Sequence, residues 1–174
     1  MKLKKDALIQ LANEAIELRY PDFDFDLSDY VVTAWRNSHT VVVKYRRMIQ
    51  FIPLDRKLDN LHYDIEVDLT SQHISPFDIW GMNRFYIPTS EEQANIDFVT
   101  NVFGLPHPGF IACIEEDTSV YRIYLDNEQS FGRYVIDKIT GIEYEGAIEG
   151  SYEPMPRDLD GLSSHPDPLL EIIE

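Results

Sequence analysis

Two short runs of carboxylates stand where they could do chemistry. Asp64, Glu66 and Asp68 alternate with Tyr63, Ile65, Val67 and Leu69, and Glu143, Glu145 and Glu149 alternate with Ile142, Tyr144 and Ile148. Period two sends alternate side chains to opposite faces of a β-strand, so each run reads as a row of carboxylates on the wet side of a sheet. Such a row could hold a hard cation or receive a basic partner. A cation needs oxygens converging from several backbone segments, and one flat row does not converge. For the first row the plainer fate is pairing with Lys44 and Arg46 on an adjacent strand. Two rows together would make a broad negative face, which nominates Asp64, Glu66, Asp68, Glu143, Glu145 and Glu149 as contacts for a basic protein.

The remaining reactive residues point away from catalysis. His39, His62, His73, His107 and His165 have no ligand-like companions at short spacing, so no metal is expected. The single cysteine, Cys113, sits between Ala112 and Ile114 in an apolar run and reads as a buried thiol. There is no G-x-S-x-G, phosphate-binding loop, dinucleotide fingerprint or H-E-x-x-H, so no cofactor is expected. No two carboxylates are singled out as an acid pair, and the chain reads as non-enzymatic.

Composition agrees with a folded binding protein. The 174 residues include 31 acidic and 15 basic side chains, a net charge of −16, which repels a phosphate backbone and excludes nucleic acid as a natural partner. At 44% hydrophobic and 12% aromatic residues the chain can bury a core. No uninterrupted apolar stretch is long enough to span a membrane. The basic start Met1-Lys2-Leu3-Lys4-Lys5 is followed by Asp6, Gln10 and Asn13, which break any signal-peptide core. With one cysteine, the expected setting is the reducing cytoplasm.

The elements that would carry the carboxylates follow a pattern that occurs twice, giving an α+β expectation. A helix is predicted over 2–19, with an apolar stripe through Leu3, Ala7, Leu8, Leu11, Ala15 and Leu18, stopped before Pro21. A hairpin of strands 30–35 and 40–45 follows, with 48–54 as an extension of the second strand near a sheet edge at Pro53, then the strand 62–70. After an aromatic connector containing Phe77, Trp80, Phe85 and Tyr86 the pattern restarts. Thr89 and Glu92, or Ser90 and Gln93, offer a capping box. Phe98 and Val102 mark the buried face of the second helix, and Gly104 its end. Strands are predicted over 110–115, 120–125, 131–137 and 142–148, all antiparallel. The division is a first unit over 1–75, a connector over 76–88, a second unit over 89–150, and an acidic, proline-broken tail over 151–174. The end of that tail, Leu169 to Ile173, could dock onto the body as a short helix or capture a partner, and docking on its own protein is the first expectation.

The run Tyr134-Val135-Ile136-Asp137-Lys138-Ile139-Thr140-Gly141-Ile142-Glu143 resembles the closing hairpin of PepSY-type modules, and one in some NTF2-like immunity proteins of bacterial toxin systems. In both, a strand ends in an aspartate whose carboxylate can cap the turn amides, and a glycine takes the positive φ the turn needs. The first half departs from the pattern: Ser71-Gln72-His73 replaces Thr-Gly in a turn read as one residue longer. The resemblance implies a cystatin-like helix-on-sheet fold and a binding role, leading to an immunity-type inhibitor that caps a basic toxin in a bacterial cytoplasm. The alternative it leaves open is an NTF2-like pocket that binds or transforms a small molecule.

Overall fold

The computed structural model describes residues 4–55, 63–75, 85–127, 129–152 and 171–173. The N-terminal Leu3, His62, Phe77 and Trp80 of the connector, and the prolines and aspartates of the tail beyond Tyr152, fall outside them. The elements are α1 (Lys5–Arg19), β1 (Tyr30–Arg36), β2 (Val41–Arg47), β3 (Ile49–Ile52), β4 (Asp64–Asp68), β5 (His73–Ile74), α2 (Ser90–Val99), β6 (Ile111–Glu116), β7 (Val120–Asp126), β8 (Ser130–Asp137), β9 (Ile148–Ser151) and β10 (Glu171–Ile172). They form two units, one comprising Met1–Arg47, Leu61–Tyr86 and Pro156–Glu174, the other Met48–Asn60 and Ile87–Met155. The units interleave along the chain. Each holds one five-stranded sheet, ordered β10-β1-β2-β4-β5 in the first and β3-β6-β7-β8-β9 in the second. No helix among the described residues is long and apolar enough to cross a membrane.

In the first unit α1 covers one face of the sheet. Leu8, Ala12 and Ile16 are buried at four-residue steps against Ala34, Val43, Tyr45, Ile65 and Val67. The helix is therefore turned from the predicted stripe: Leu8 is 2% exposed, whereas Leu11 is 50% exposed and Leu18 stands in solvent. The cause is a polar bond that a count of apolar residues overlooks. The buried Tyr45 hydroxyl donates to Asn13 Oδ1 at 2.6 Å, which brings the Asn13 flank of the helix down and lifts the Leu11 flank. Ala12 lets the helix approach closely. From the connector, Phe85 stacks on Phe23 with ring centroids 4.3 Å apart, and Tyr86 meets Tyr63 at 5.0 Å.

The second unit begins with β3. Residues 48–54 do not extend β2: the chain leaves the first sheet after Arg47 and pairs β3 with β6, Phe51 lying opposite Ile114. That pairing is parallel, against the expectation of antiparallel strands throughout. A long excursion containing α2 separates β3 from β6, so no tight hairpin dictates their direction. β3 does lie at a sheet edge, as Pro53 predicts.

Helix α2 starts at the Thr89–Glu92 capping box, with Glu92 N to Thr89 Oγ1 at 3.2 Å and Thr89 N to Glu92 Oε2 at 3.3 Å. It buries Ile96 and Val99, leaves Phe98 half-buried, and passes into a π-helical turn over Thr100–Gly104 that carries Val102 out to 44% exposure. The wider turn advances less than 100° per residue, so Val102 falls off the line that Ile96 and Val99 define. Gly104 closes the helix at φ +87°.

Two further expectations are corrected. The predicted strand 142–148 is reduced to a single bridge between Ile136 and Glu143, with pairing resumed only in β9. Gly141 and Gly146, at φ +70° and +98°, bend the chain away between those points. The end of the tail is a strand, not a helix: β10 pairs antiparallel with β1 and Ile173 enters the core.

The helix rotation gives a direct test. Leu8→Ala should destabilise the chain by about 2–5 kcal/mol, while Leu11→Ala should stay within about 0.5 kcal/mol of the natural protein, both read from urea unfolding. Equal losses at the two positions would return the helix to the predicted stripe.

Candidate functional site

The first carboxylate row is built by β4, whose Ile65 and Val67 are held in the core and thereby turn Asp64, Glu66 and Asp68 outward. These three are half-exposed. They face β2 in a register that sets Lys44 opposite Glu66 and Arg46 opposite Asp64. Lys44 Nζ lies 3.4 Å from Glu66 Oε1 and 3.7 Å from Asp64 Oδ2, and Arg46 Nε lies 3.7 Å from the same Asp64 oxygen. The row is therefore matched by two cations and is not a free negative surface.

Asp68 has a different task. Its Oδ1 accepts from the Thr70 and Ser71 amides at 2.8 and 3.3 Å, and its Oδ2 accepts from the Ser71 hydroxyl at 2.7 Å. Burial alone would raise its carboxyl, but these bonds outweigh burial and hold it below its ordinary value of 3.8. Asp137 does the same in the second unit, accepting from the Thr140 and Ile139 amides at 2.7 and 2.9 Å, and those bonds lower its carboxyl. Four residues after each aspartate comes the residue of positive φ, Gln72 at +58° and Gly141 at +70°. The pairing across each turn also agrees: Asp68 faces His73, and the Asp137 amide donates to Ile142 O. The two turns have equal length, so the first is not the longer one expected. Only the glycine is packed closely, since a Cβ at Gly141 would lie 2.7 Å from Val102 Cγ1.

The second set of glutamates is not a row. Glu149 comes to the Tyr134 hydroxyl, which donates to its Oε1 at 2.6 Å, while the Tyr134 ring leans on Phe103 with centroids 5.0 Å apart. The Glu149 hydrogen bond, with lesser contributions from burial and from the charges of Glu149 and Glu143, pushes the Tyr134 phenol up to about 12. Glu145 stands on the bend before Gly146. Glu143, Glu145 and Glu149 are all exposed, and so are Ile139 at 89%, Ile142 at 68%, Tyr144 and Ile148. The stretch 139–152 contains no cation of its own. Among the described residues, the nearest before it in sequence are Lys138, whose Nζ pairs with Glu116, and Arg133, whose guanidinium lies 5.9 and 5.8 Å from the Tyr124 and Phe131 ring centroids. Sequence reading marked the glutamates but not the aliphatics between them, because an assumed strand assigned those to the core.

Among the described residues no group of three histidine, cysteine, aspartate or glutamate side chains could hold a metal ion. Burial, with the Glu115 charge adding to it, pushes the Cys113 thiol up to about 11, so it is a thiol and not a nucleophilic thiolate at neutral pH.

The turn aspartates set an acid limit. Their folded carboxyls titrate below 3.8, so the stability they contribute is present above that value and is lost as pH falls through the lowered one. The double variant D68N/D137N keeps a carbonyl acceptor in each turn but cannot titrate. Its urea midpoint should fall less steeply than that of the natural chain between about pH 5 and about pH 2. An unchanged slope would remove the turns from the acid response.

No protein-family model, no curated protein and no solved structure matches the chain, so the two units and their surfaces stand on their own geometry.

Proposed function

We propose that this chain is a non-enzymatic binding protein for a basic protein partner, and that the segment from Ile139 to Tyr152 carries the contact. The observation behind this is the coincidence, in one segment, of exposed aliphatics with three exposed glutamates and no cation. Apolar side chains give a partner area to bury, and the surrounding carboxylates choose a basic one and steer its approach. Asp64, Glu66 and Asp68 serve this reading less well, since two are matched by Lys44 and Arg46 and the third caps a turn. The resemblance of the Asp137 hairpin to immunity modules supports a finer form, in which the partner is a basic toxin of a bacterial cytoplasm and this chain inhibits it by capping.

The two units also support a reading as copies of one module. Each has a helix, a sheet whose first three strands in chain order after that helix are neighbours, an aspartate-capped turn after the third, and a strand from elsewhere beside the first. In each, a tyrosine on the second of those strands bonds an asparagine on the helix: Tyr45 to Asn13, and Tyr121 to Asn95 at 3.0 Å.

The test is kinetic. The full chain is used to capture a partner from the native cell, and association of the purified pair is followed by stopped flow against salt. The on-rate should fall as salt rises, because the Debye length shortens from about 30 Å at 0.01 M to about 8 Å at physiological strength. The variant E143Q/E145Q should associate about threefold or more slowly at low salt with a flatter salt dependence, while K44M/E66Q keeps the natural rate. An on-rate indifferent to both salt and the glutamate changes would defeat the proposal.

A further inference from the structure

The C-terminal strand makes contacts of defined chemistry with β1. Glu171 and Ile172 pair with Arg36 and Trp35, and the Ile173 amide donates to Ala34 O at 3.0 Å. The Glu171 carboxylate receives the Arg36 guanidinium in two bonds, Nε at 2.9 Å and Nη2 at 3.1 Å. Two residues on, Ile173 is 9% exposed and lies in the core cluster with Leu8, Ile16 and Ala34. The seat thus reads three features: an extended backbone antiparallel to β1, a carboxylate over Arg36, and an aliphatic side chain two positions further along.

β10 fills only part of that edge. β1 runs seven residues from Tyr30 to Arg36, and the tail covers it from Arg36 to Ala34. From Tyr30 to Thr33 the same edge pairs with no strand among the described residues, and Val31 is 40% exposed there. An open edge is a template for another chain.

We infer that the outer edge of β1 is a strand-acceptor site, held in this structure by the chain's own Glu171–Ile173 as a tethered competitor, and that its external ligand is an extended segment of another protein bearing an acidic residue and, two residues later, a β-branched or other aliphatic one. A second copy of this chain is the weaker occupant on the same grounds. It offers the strand the chain already holds, without the advantage of an intramolecular effective concentration that is of order millimolar for short tethers. A foreign segment that continues past the Ile173 position toward Tyr30 gains the stretch of β1 that pairs with no strand among the described residues. The site lies in the first unit and does not depend on the acidic segment of the second.

The probe is a fluorescent peptide of the sequence Pro168–Glu174, titrated into the full chain and into full-length I173D, in which a buried charge unseats the tail. The expected result is binding to I173D about tenfold or more tighter than to the natural chain, with loss of binding when the peptide's residue at the Glu171 position is replaced by arginine. Full-length E171R, altered at an exposed position, is the second receptor and should also take up the natural peptide. Hydrogen exchange on the unmodified chain gives an independent reading: the Ile173 amide should exchange through an opening that leaves the Val43 amide protected. Failure of both folded variants to bind peptide, peptide affinity equal in variants and natural chain, or exchange of Ile173 only together with Val43 would each overturn the inference and make β10 a fixed strand. A concentration-dependent dimer abolished by I173D would overturn it in favour of strand exchange between copies.

Discussion

A five-stranded sheet with one helix to cover it has one dry face and one wet face, and in each unit the helix is fixed to the dry face through a buried tyrosine. Tyr45 is fully buried, and an unpartnered hydroxyl there would cost about 1–3 kcal/mol. Its partner is Asn13, and that bond sets which flank of α1 meets the sheet. Tyr121 and Asn95 stand in the same relation in the second unit. Once the rotation of the helix is set, Leu8, Ala12 and Ile16 form the contact and Leu11 is left outside. The inward residues of β2 and β4 are chosen with them. Period two then gives their neighbours no choice but the wet face.

The wet face explains where the charge goes. On the first sheet, Lys44 and Arg46 lie against Asp64 and Glu66, so the alternation that looks acidic in one strand is neutralised by the next. On the second, Arg122 pairs with Glu115 and with Asp117 just past the strand end, while Lys138 pairs with Glu116 at the margin of the face that carries Ala112 and Ile114. These half-buried pairs cancel local fields whatever they add to stability. A chain with 31 acidic and 15 basic residues must carry its excess somewhere else. Part of that excess stands on the segment after Asp137, where the return path of the hairpin is broken by two glycines and aliphatics are exposed beside the glutamates.

What the sequence made legible was local. The alternation through Ile65 and Val67, the Thr89–Glu92 cap, the Gly104 helix end and the aspartate-capped turns each follow from a few adjacent residues, and the structure contains them all. The misplaced features depend on distant partners. Residues 48–54 fit a continued β2 as well as an independent strand, and only Ile111–Glu115, far along the chain, decides between them. The regular spacing of Ile142, Tyr144 and Ile148 imitates a buried strand face, but Gly141 and Gly146 interrupt the ladder that would bury them. The rotation of α1 was hidden because a count of apolar residues gives Leu11 more weight than Ala12, whereas close approach and a polar bond favour the smaller residue.

The same position in the two sheets is filled by strands of very different tenure. Beside β6 lies β3, paired over four residues with Phe51 fully buried. Beside β1 lies β10, paired over two residues, with the Arg36–Glu171 ion pair and the buried Ile173 among its contacts. Removing β3 would expose an aromatic core residue and leave four residues of β6 unpaired, so it can open only with much of its unit. Among the described residues, removing β10 takes Ile173 out of the core cluster and separates Arg36 from Glu171, both already partly in water. Strand pairing is a graded interaction whose permanence follows length and burial. By length of pairing β10 is the lesser of the two outer strands, while β3, with Phe51 fully buried, is part of the core.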